Sequence, residues 1–262
     1  FTTMNKVNSK RLKNNKLIKI FNRFATYNGS NPYVAPGILN VISHLEFNEG
    51  VFLPNKGMRS IAECLHQMCL KNGVVFKMNS KVTKISLNND RVDGVYVKEK
   101  YYSSDLVVSN IDIFYVYHNL LNQPNYFKKN ILLEKSTSAI IFYWGVNKEF
   151  KKLDLHNILF SKDYEREFNE INKGFQIQND PTIYINITSK YIPDDAPLNC
   201  ENWFVMINVS HDNGQDWNSL VQQARTIIIQ KINNFLKSDL EKHIVCEKHM
   251  DPAQIQEKTG AF

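Results

Sequence analysis

Apolar positions recur at helical spacing in some stretches of this chain and alternate or run together in others. Near the amino terminus Val7, Leu17, Ile20 and Phe21 partly share one stripe, which predicts a helix over 5–22. A turn cluster, Asn28, Gly29, Ser30, Asn31 and Pro32, follows. A second helix is expected over 34–48, with Ile38, Val41, Ile42 and Leu45 inward. In GMRSIAECLHQMCLKNG, residues 57–73, Met58, Ile61, Ala62, Leu65, Met68 and Cys69 keep the helical period and Gly73 closes it.

Shorter apolar runs then predict strands at 74–77, 82–87, 92–98 and 101–109, with Asn88, Asn89 and Asp90 as a turn. In SDLVVSNID, residues 104–112, Leu106, Val107 and Val108 form a continuous run expected to be buried on both faces. It ends on Ser109, Asn110 and Asp112, small polar groups suited to capping a helix over 112–121 or to meeting a ligand. Further strands are expected at 138–146, 183–188 and 203–209. Over 217–236 Leu220, Val221, Ala224, Ile227, Ile228, Ile232 and Phe235 hold the helical period behind Asp216 as N-cap. Strands and helices do not alternate regularly, so the fold class is α+β.

Composition narrows the chemistry. The chain has 262 residues, 43% of them hydrophobic and 22% charged. Its longest apolar run, AIIFYWGV at 139–146, is too short to span a bilayer. The start is polar and basic with no adjoining apolar stretch, so no signal peptide is read there. The first residue is Phe1, and a piece of a longer protein is expected. Cys64, Cys69, Cys200 and Cys246 show no ligand spacing; no metal site is expected, and reduced, buried thiols of a cytosolic protein are. Charge is uneven: Lys6, Lys10, Arg11, Lys13, Lys16, Lys19 and Arg23 all precede the first acidic residue, Glu46. That end is either a solvated helix face or a surface for anionic lipid. Nucleic acid is not expected as a partner, because the charge sits in one segment without a recognised module.

No two of the ten glycines are separated by a single residue, so the chain has no GxGxxG; it also lacks a Walker loop and a GxSxG elbow. His211-Asp212 reads as a turn, His44 and Glu46 as packing or capping groups at a helix end, and His156 as an edge-strand hydrogen-bonding group.

Several stretches, in order, resemble the bacterial phytoene desaturase family of carotenoid desaturases, flavoproteins that include enzymes like the 1-hydroxycarotenoid 3,4-desaturases. They are FATYNGSNPY (24–33), ILNVISHLEFNEGVFLPNKGM (38–58), DLVVSNID (105–112), LDLHNILFSKDYEREF (153–168) and DDAPLNCENWFVMINVSH (194–211). The resemblance implies the central part of a two-domain, amine-oxidase-like flavoprotein that lacks both terminal flavin motifs. Residues 1–56 would belong to a helical substrate- or membrane-facing region, 57–112 to the middle of the FAD-binding domain, and 113–262 to a substrate domain with an antiparallel sheet.

The same resemblance implies FAD as cofactor, with Lys81 and Val82 at the adenine and Ser109 and Asn110 near the ADP portion. It implies a C40 carotenoid as substrate, bound by burial of hydrocarbon, with Phe24, Tyr27, Tyr33, Met58, Phe142, Tyr143 and Trp144 as contact candidates. Core packing without substrate contact is the alternative for each. The implied reaction introduces C=C bonds by hydride transfer to flavin, in a cytoplasmic protein attached peripherally to a membrane. Family members can carry Asp-Pro-Arg where this chain has Asn14-Asn15-Lys16, so no catalytic residue is assigned. The alternatives are a non-enzymatic module for an apolar ligand or membrane surface, and another amine-oxidase-like flavin oxidoreductase.

Overall fold

Two short helices replace the long one expected at the amino terminus. The structure, a computed structural model, describes residues 2–126, 135–171, 173–174 and 176–260. Helix α1 (Met4–Arg11) begins behind Thr3, and α2 (Asn15–Arg23) begins behind Asn14, whose Oδ1 accepts from the Lys16 N–H at 2.8 Å. An asparagine whose side chain bonds the backbone two residues on favours a break over a continued helix. The seam between the two helices is polar. Asn8 Nδ2 donates to Asn22 Oδ1, and Asn22 Nδ2 donates to Asn5 Oδ1, both at 2.8 Å. These amides occupy the inner face, so Leu17 and Ile20 are exposed rather than inward.

Gly29 then takes the left-handed region (φ +60°), where a Cβ would lie 3.0 Å from that of Ser136. Its carbonyl accepts from the Thr137 N–H at 3.1 Å, tying this turn to the strand that starts at Ser138. Helix α3 (Asn40–Glu49) begins later than expected and fully buries only Ser43; Ile42 packs on the Met4–Phe24 cluster, but Ile38, Val41 and Leu45 face solvent.

The chain forms two compact units, Phe1–Met58 with Ser136–Ala253, and Arg59–Lys135 with Gln254–Phe262. The smaller contains α4 (Arg59–Lys71), which Gly73 closes at φ +80°, and an antiparallel sheet in the order β1 (Val82–Asn88), β2 (Arg91–Val97), β3 (Lys100–Ser103). Asn89 and Asp90 adopt positive φ in the expected β1–β2 turn. Two expectations fail here. Residues 74–77 form no strand, and β3 stops at Ser103, leaving Leu106 and Val108 outside any strand, 74% and 85% exposed. A strand needs a ladder partner to satisfy its backbone groups, and neither run finds one among the described residues. Helix 112–121 is instead one helical turn, Ile113–Tyr115, running into a π-turn, Val116–Leu120. Asp112 caps it by accepting from the Phe114 N–H at 2.8 Å, so Ser109 and Asn110 do not.

The larger unit is built on a five-stranded antiparallel sheet. Its strands are β4 (Ser138–Val146), β5 (His156–Leu159), β6 (Ile183–Asn186), β7 (Glu201–Val209) and β8 (Ile244–Met250), in the order β5-β6-β7-β4-β8. Helix α5 (Tyr164–Ile171) joins β5 towards β6, α6 (Trp217–Leu236) follows β7, and α7 (Pro252–Thr259) follows β8. The strict alternation of β7 turns Trp203, Val205 and Ile207 to one face, where Phe142, Trp144, Ile183 and Ile185 join them. Helix α6 covers that face with Val221, Ala224, Ile228 and Ile232, and its Asp216 cap accepts from Ser219 as expected. Each large side chain buried there contributes roughly 1.5–3 kcal/mol. At the sheet's end buried Glu201 accepts from the Phe150 N–H (3.0 Å) and Trp203 Nε1 (2.7 Å), and pairs with Lys190 at 2.5 Å. All four cysteines are free, but none is fully buried; Cys64 and Cys246 are exposed.

Candidate functional site

The sheet of the larger unit has a second face. Pairing register sets Ile158, Tyr184, Met206, Ile141 and Met250 in one row across β5, β6, β7, β4 and β8. The adjacent row carries His156, Asn186, Phe204, Tyr143 and Lys248. These residues sit at the alternate positions to the buried core, and most are half-buried or exposed. The rings touch in sequence: His156 stacks on Tyr184 (6.0 Å, 20°), Tyr184 meets Phe204 edge-on (6.2 Å, 70°), and Phe204 meets Tyr143 edge-on (5.6 Å, 77°). Tyr143 also donates to Met250 Sδ at 3.7 Å. The result is a continuous aromatic and thioether surface with a polar edge at β5.

Of the substrate-contact candidates on β4, only Tyr143 belongs to this surface. Phe142 and Trp144 flank it in sequence and therefore point the other way, where they are fully buried beneath α6. Phe24 is buried against Met4, Ala25 and Ala35. Tyr27 stacks on Phe24 (5.7 Å, 9°) and donates to Glu46 Oε2 at 3.0 Å. Burial on that ring, then the Glu46 carboxylate, push its phenol up to about 12. Tyr33 meets Phe168 edge-on at 6.5 Å; burial, then Glu165 and Asp163, raise it to about 12 as well. Burial also raises the Tyr184 phenol, against a downward pull from the Arg23 guanidinium. Met58 is exposed.

Phe204, Tyr184, Met206 and Ile141 were not singled out from sequence. Their signal was the alternation in β6 and β7, which becomes a surface only once the pairing order is known. His156 opens an edge strand and Asp212 accepts from Gly214 and from Trp217 Nε1 in a turn, both as expected.

In the smaller unit, Lys81 is exposed and Val82 opens β1, an edge strand in the order given above. Ser109 and Asn110 are exposed in the segment beyond β3.

A family model described as "Flavin containing amine oxidoreductase" matches residues 5–196. The chain belongs to the flavin-containing amine oxidoreductase family. Over 254 residues it is 44% identical to the 1-hydroxycarotenoid 3,4-desaturase of Flavobacterium sp., an alignment covering 97% of this chain and 52% of that relative. It is 28% identical over 267 residues to the phytoene desaturase of Fusarium fujikuroi (93% of this chain, 47% of the relative). Identity is also 28%, over 267 residues, to the 4,4'-diaponeurosporene oxygenase of Staphylococcus haemolyticus, at 100% and 53% coverage. The chain thus spans about half the length of these relatives. The crystal structure of an oxidoreductase from Methanosarcina mazei shares its fold, with a TM-score of 0.68 at 14% identity over 95% of this chain and 56% of that one.

The α+β class expected from sequence agrees with this family's fold, and the family's cofactor is FAD. The residues of the smaller unit fit part of that cofactor. Val82 opens an edge strand, and Ser109 and Asn110 are exposed small polar groups of a kind that can hydrogen-bond a nucleoside. They include no glycine-rich cradle for a pyrophosphate.

Proposed function

We propose that this chain is the central part of an FAD-dependent carotenoid desaturase, which introduces C=C bonds into a C40 polyene by hydride transfer to flavin. The observation that carries this reading is the open sheet face, with Tyr143, Phe204, Tyr184 and Met206 set in register on a rigid scaffold. A polyene has no polar group along its length, so burial of hydrocarbon holds it, at roughly 25 cal/mol per Å². Aromatic and thioether side chains supply that area and adapt to a long rod. When bound, FAD supplies the hydride acceptor. The chain's own share is to bind the polyene, fix its orientation and keep water from it. The family match and the names of the relatives support the same substrate class.

In this reading residues 57–112 form the middle of the FAD-binding domain, with Lys81 and Val82 at the adenine and Ser109 and Asn110 near the ADP portion. Residues 113–262 form the substrate domain, and residues 1–56 face a membrane. Exposed Ile38, Val41, Leu45 and Phe52 support the membrane contact, together with the cations of α1 and α2. No described helix is long and apolar enough to cross a membrane, which is consistent with attachment at the surface.

The test is expression of the full-length protein in a phytoene-accumulating host, with pigments followed by absorbance. Conjugated products are expected from the wild type, and Phe204→Asp, which puts a carboxylate on the open face, should lower their yield at least tenfold. An FAD-loaded protein that leaves every supplied polyene unchanged would overturn the reading. Binding to anionic vesicles without desaturation would favour the non-enzymatic surface module instead.

A further inference from the structure

Seven cations precede the first acidic residue, and two of them turn away from solvent. Lys6, Lys10, Arg11, Lys13 and Lys16 are exposed, whereas Lys19 and Arg23, one helical turn apart on α2, are half-buried. Lys19 is spent on the fold. Its Nζ donates to the Ser161 and Lys162 carbonyls at 2.9 and 2.7 Å, which seats α2 against the end of β5. Arg23 has no comparable anchor. Its Nη1 donates to Thr26 Oγ1, and it pairs with no carboxylate among the described residues.

The groups around the guanidinium leave its charge standing. Its field reaches the phenols of Tyr27, Tyr164 and Tyr184, and burial raises all three above the ordinary tyrosine range, so they stay neutral. Tyr164 is 2% exposed, and its hydroxyl has no hydrogen-bond partner among the described residues. The carboxylates that act on the same rings are committed elsewhere. Glu46 accepts from Tyr27 at 3.0 Å, and buried Glu167 accepts from the Thr182 N–H and hydroxyl at 2.7 and 2.6 Å. A cation drawn partly out of water without an anion costs free energy that a bound anion would offset.

Tyr184 ties this cation to the open face, because its ring leads into the series Tyr184, Phe204, Tyr143. Its hydroxyl is already engaged by His156 and Asn186, so the guanidinium, not the phenol, answers a ligand there. An apolar strip that ends beside an unpaired cation complements an amphiphile with an anionic head, and the planar guanidinium fork matches a carboxylate. We propose that the open face and Arg23 together bind a long-chain fatty acid, with the hydrocarbon along Tyr184, Phe204 and Tyr143 and the carboxylate on Arg23. This site goes beyond the desaturase reading and needs neither flavin nor polyene.

The test is displacement of a fluorescent fatty acid, cis-parinarate, from the full-length protein by palmitate or by methyl palmitate, which keeps the chain and lacks the charge. All lipids are held below their micelle concentrations. The wild type should bind palmitate about tenfold more tightly than the ester, the difference that one charge-assisted hydrogen bond gives. Arg23→Gln should bring the ratio close to one while ester binding, the check on folding, is kept. Arg23→Lys, which keeps the charge but not the fork, should retain part of the preference. Phe204→Ala should weaken acid and ester by a similar factor. Absence of parinarate binding, a wild-type ratio near one, a preference that survives Arg23→Gln, or full ester binding in Phe204→Ala would each overturn the proposal. Polyene turnover plays no part in this readout, so the desaturase reading and this one fail separately.

Discussion

Helices α4 and α6 carry the same kind of periodic apolar stripe, yet they end in opposite circumstances. Helix α6 buries Trp217, Val221, Ala224, Ile228, Ile229, Ile232 and Leu236 in the larger unit. Helix α4, in the smaller unit, buries no residue, and its Ile61, Leu65 and Met68 are each about half exposed. The period of a sequence establishes that a helix forms and which face is oily. It carries no information on whether the surface that covers that face belongs to the same stretch of chain. The difference extends to the strands: the run in β4 is paired on both sides, whereas Leu106 and Val108 are bare.

The sharpest way to break this comparison is to truncate one large apolar side chain in each unit, on strand β4 of the larger and on helix α4 of the smaller. Trp144→Ala removes a fully buried indole and should destabilise the larger unit by about 3–5 kcal/mol in a urea titration. Leu65→Ala on α4 should cost below about 1 kcal/mol in this chain, because the side chain is already half in water. Equal costs at the two sites would show that α4 has a cover in solution. In the full-length protein, a rise of the Leu65→Ala cost to about 2–5 kcal/mol would show that the rest of the protein supplies it.

A smaller effect sharpens the picture of the larger unit. Buried Glu167 on α5 accepts from the Thr182 N–H at 2.7 Å and from Thr182 Oγ1 at 2.6 Å. Burial nevertheless raises its carboxyl above the usual range, against those hydrogen bonds and the nearby Lys231 charge. The folded state thus holds this proton more tightly than the unfolded chain. Its contribution is full below the ordinary glutamate range and is lost as pH rises through the raised value. Urea midpoints should fall across that window in the wild type and stay flatter in Glu167→Gln. An unchanged slope in the variant would assign the pH dependence to another group.

The parts legible in the sequence were those whose partners also lie within it. Strands β4 and β7 and helix α6 emerged near their observed limits because propensity, alternation and packing agree there. Residues 74–77 and 104–109 carry equally good strand composition but make no ladder, so local pattern and outcome part company. The break at Asn14 was missed because an asparagine inside a helical stripe looks tolerable until its side chain is seen to cap the Lys16 N–H. The open face was invisible for a different reason. Tyr143, Phe204 and Tyr184 come from strands far apart in the chain, and only the order β6-β7-β4 brings them together. Reading Phe142, Tyr143 and Trp144 as one group ignored the pleat, which sends neighbours to opposite sides.

The amide seam between α1 and α2 has a consequence for the surroundings this hairpin can tolerate. Two helices joined by oil lose their reason to associate once they leave water, since hydrocarbon welcomes the same side chains. Helices joined through Asn5, Asn8 and Asn22 behave the other way, because a hydrogen bond gains strength as the dielectric constant around it falls. With Leu17 and Ile20 turned outward, the pair is built inside out, and it should clasp more firmly in a greasy medium than in buffer.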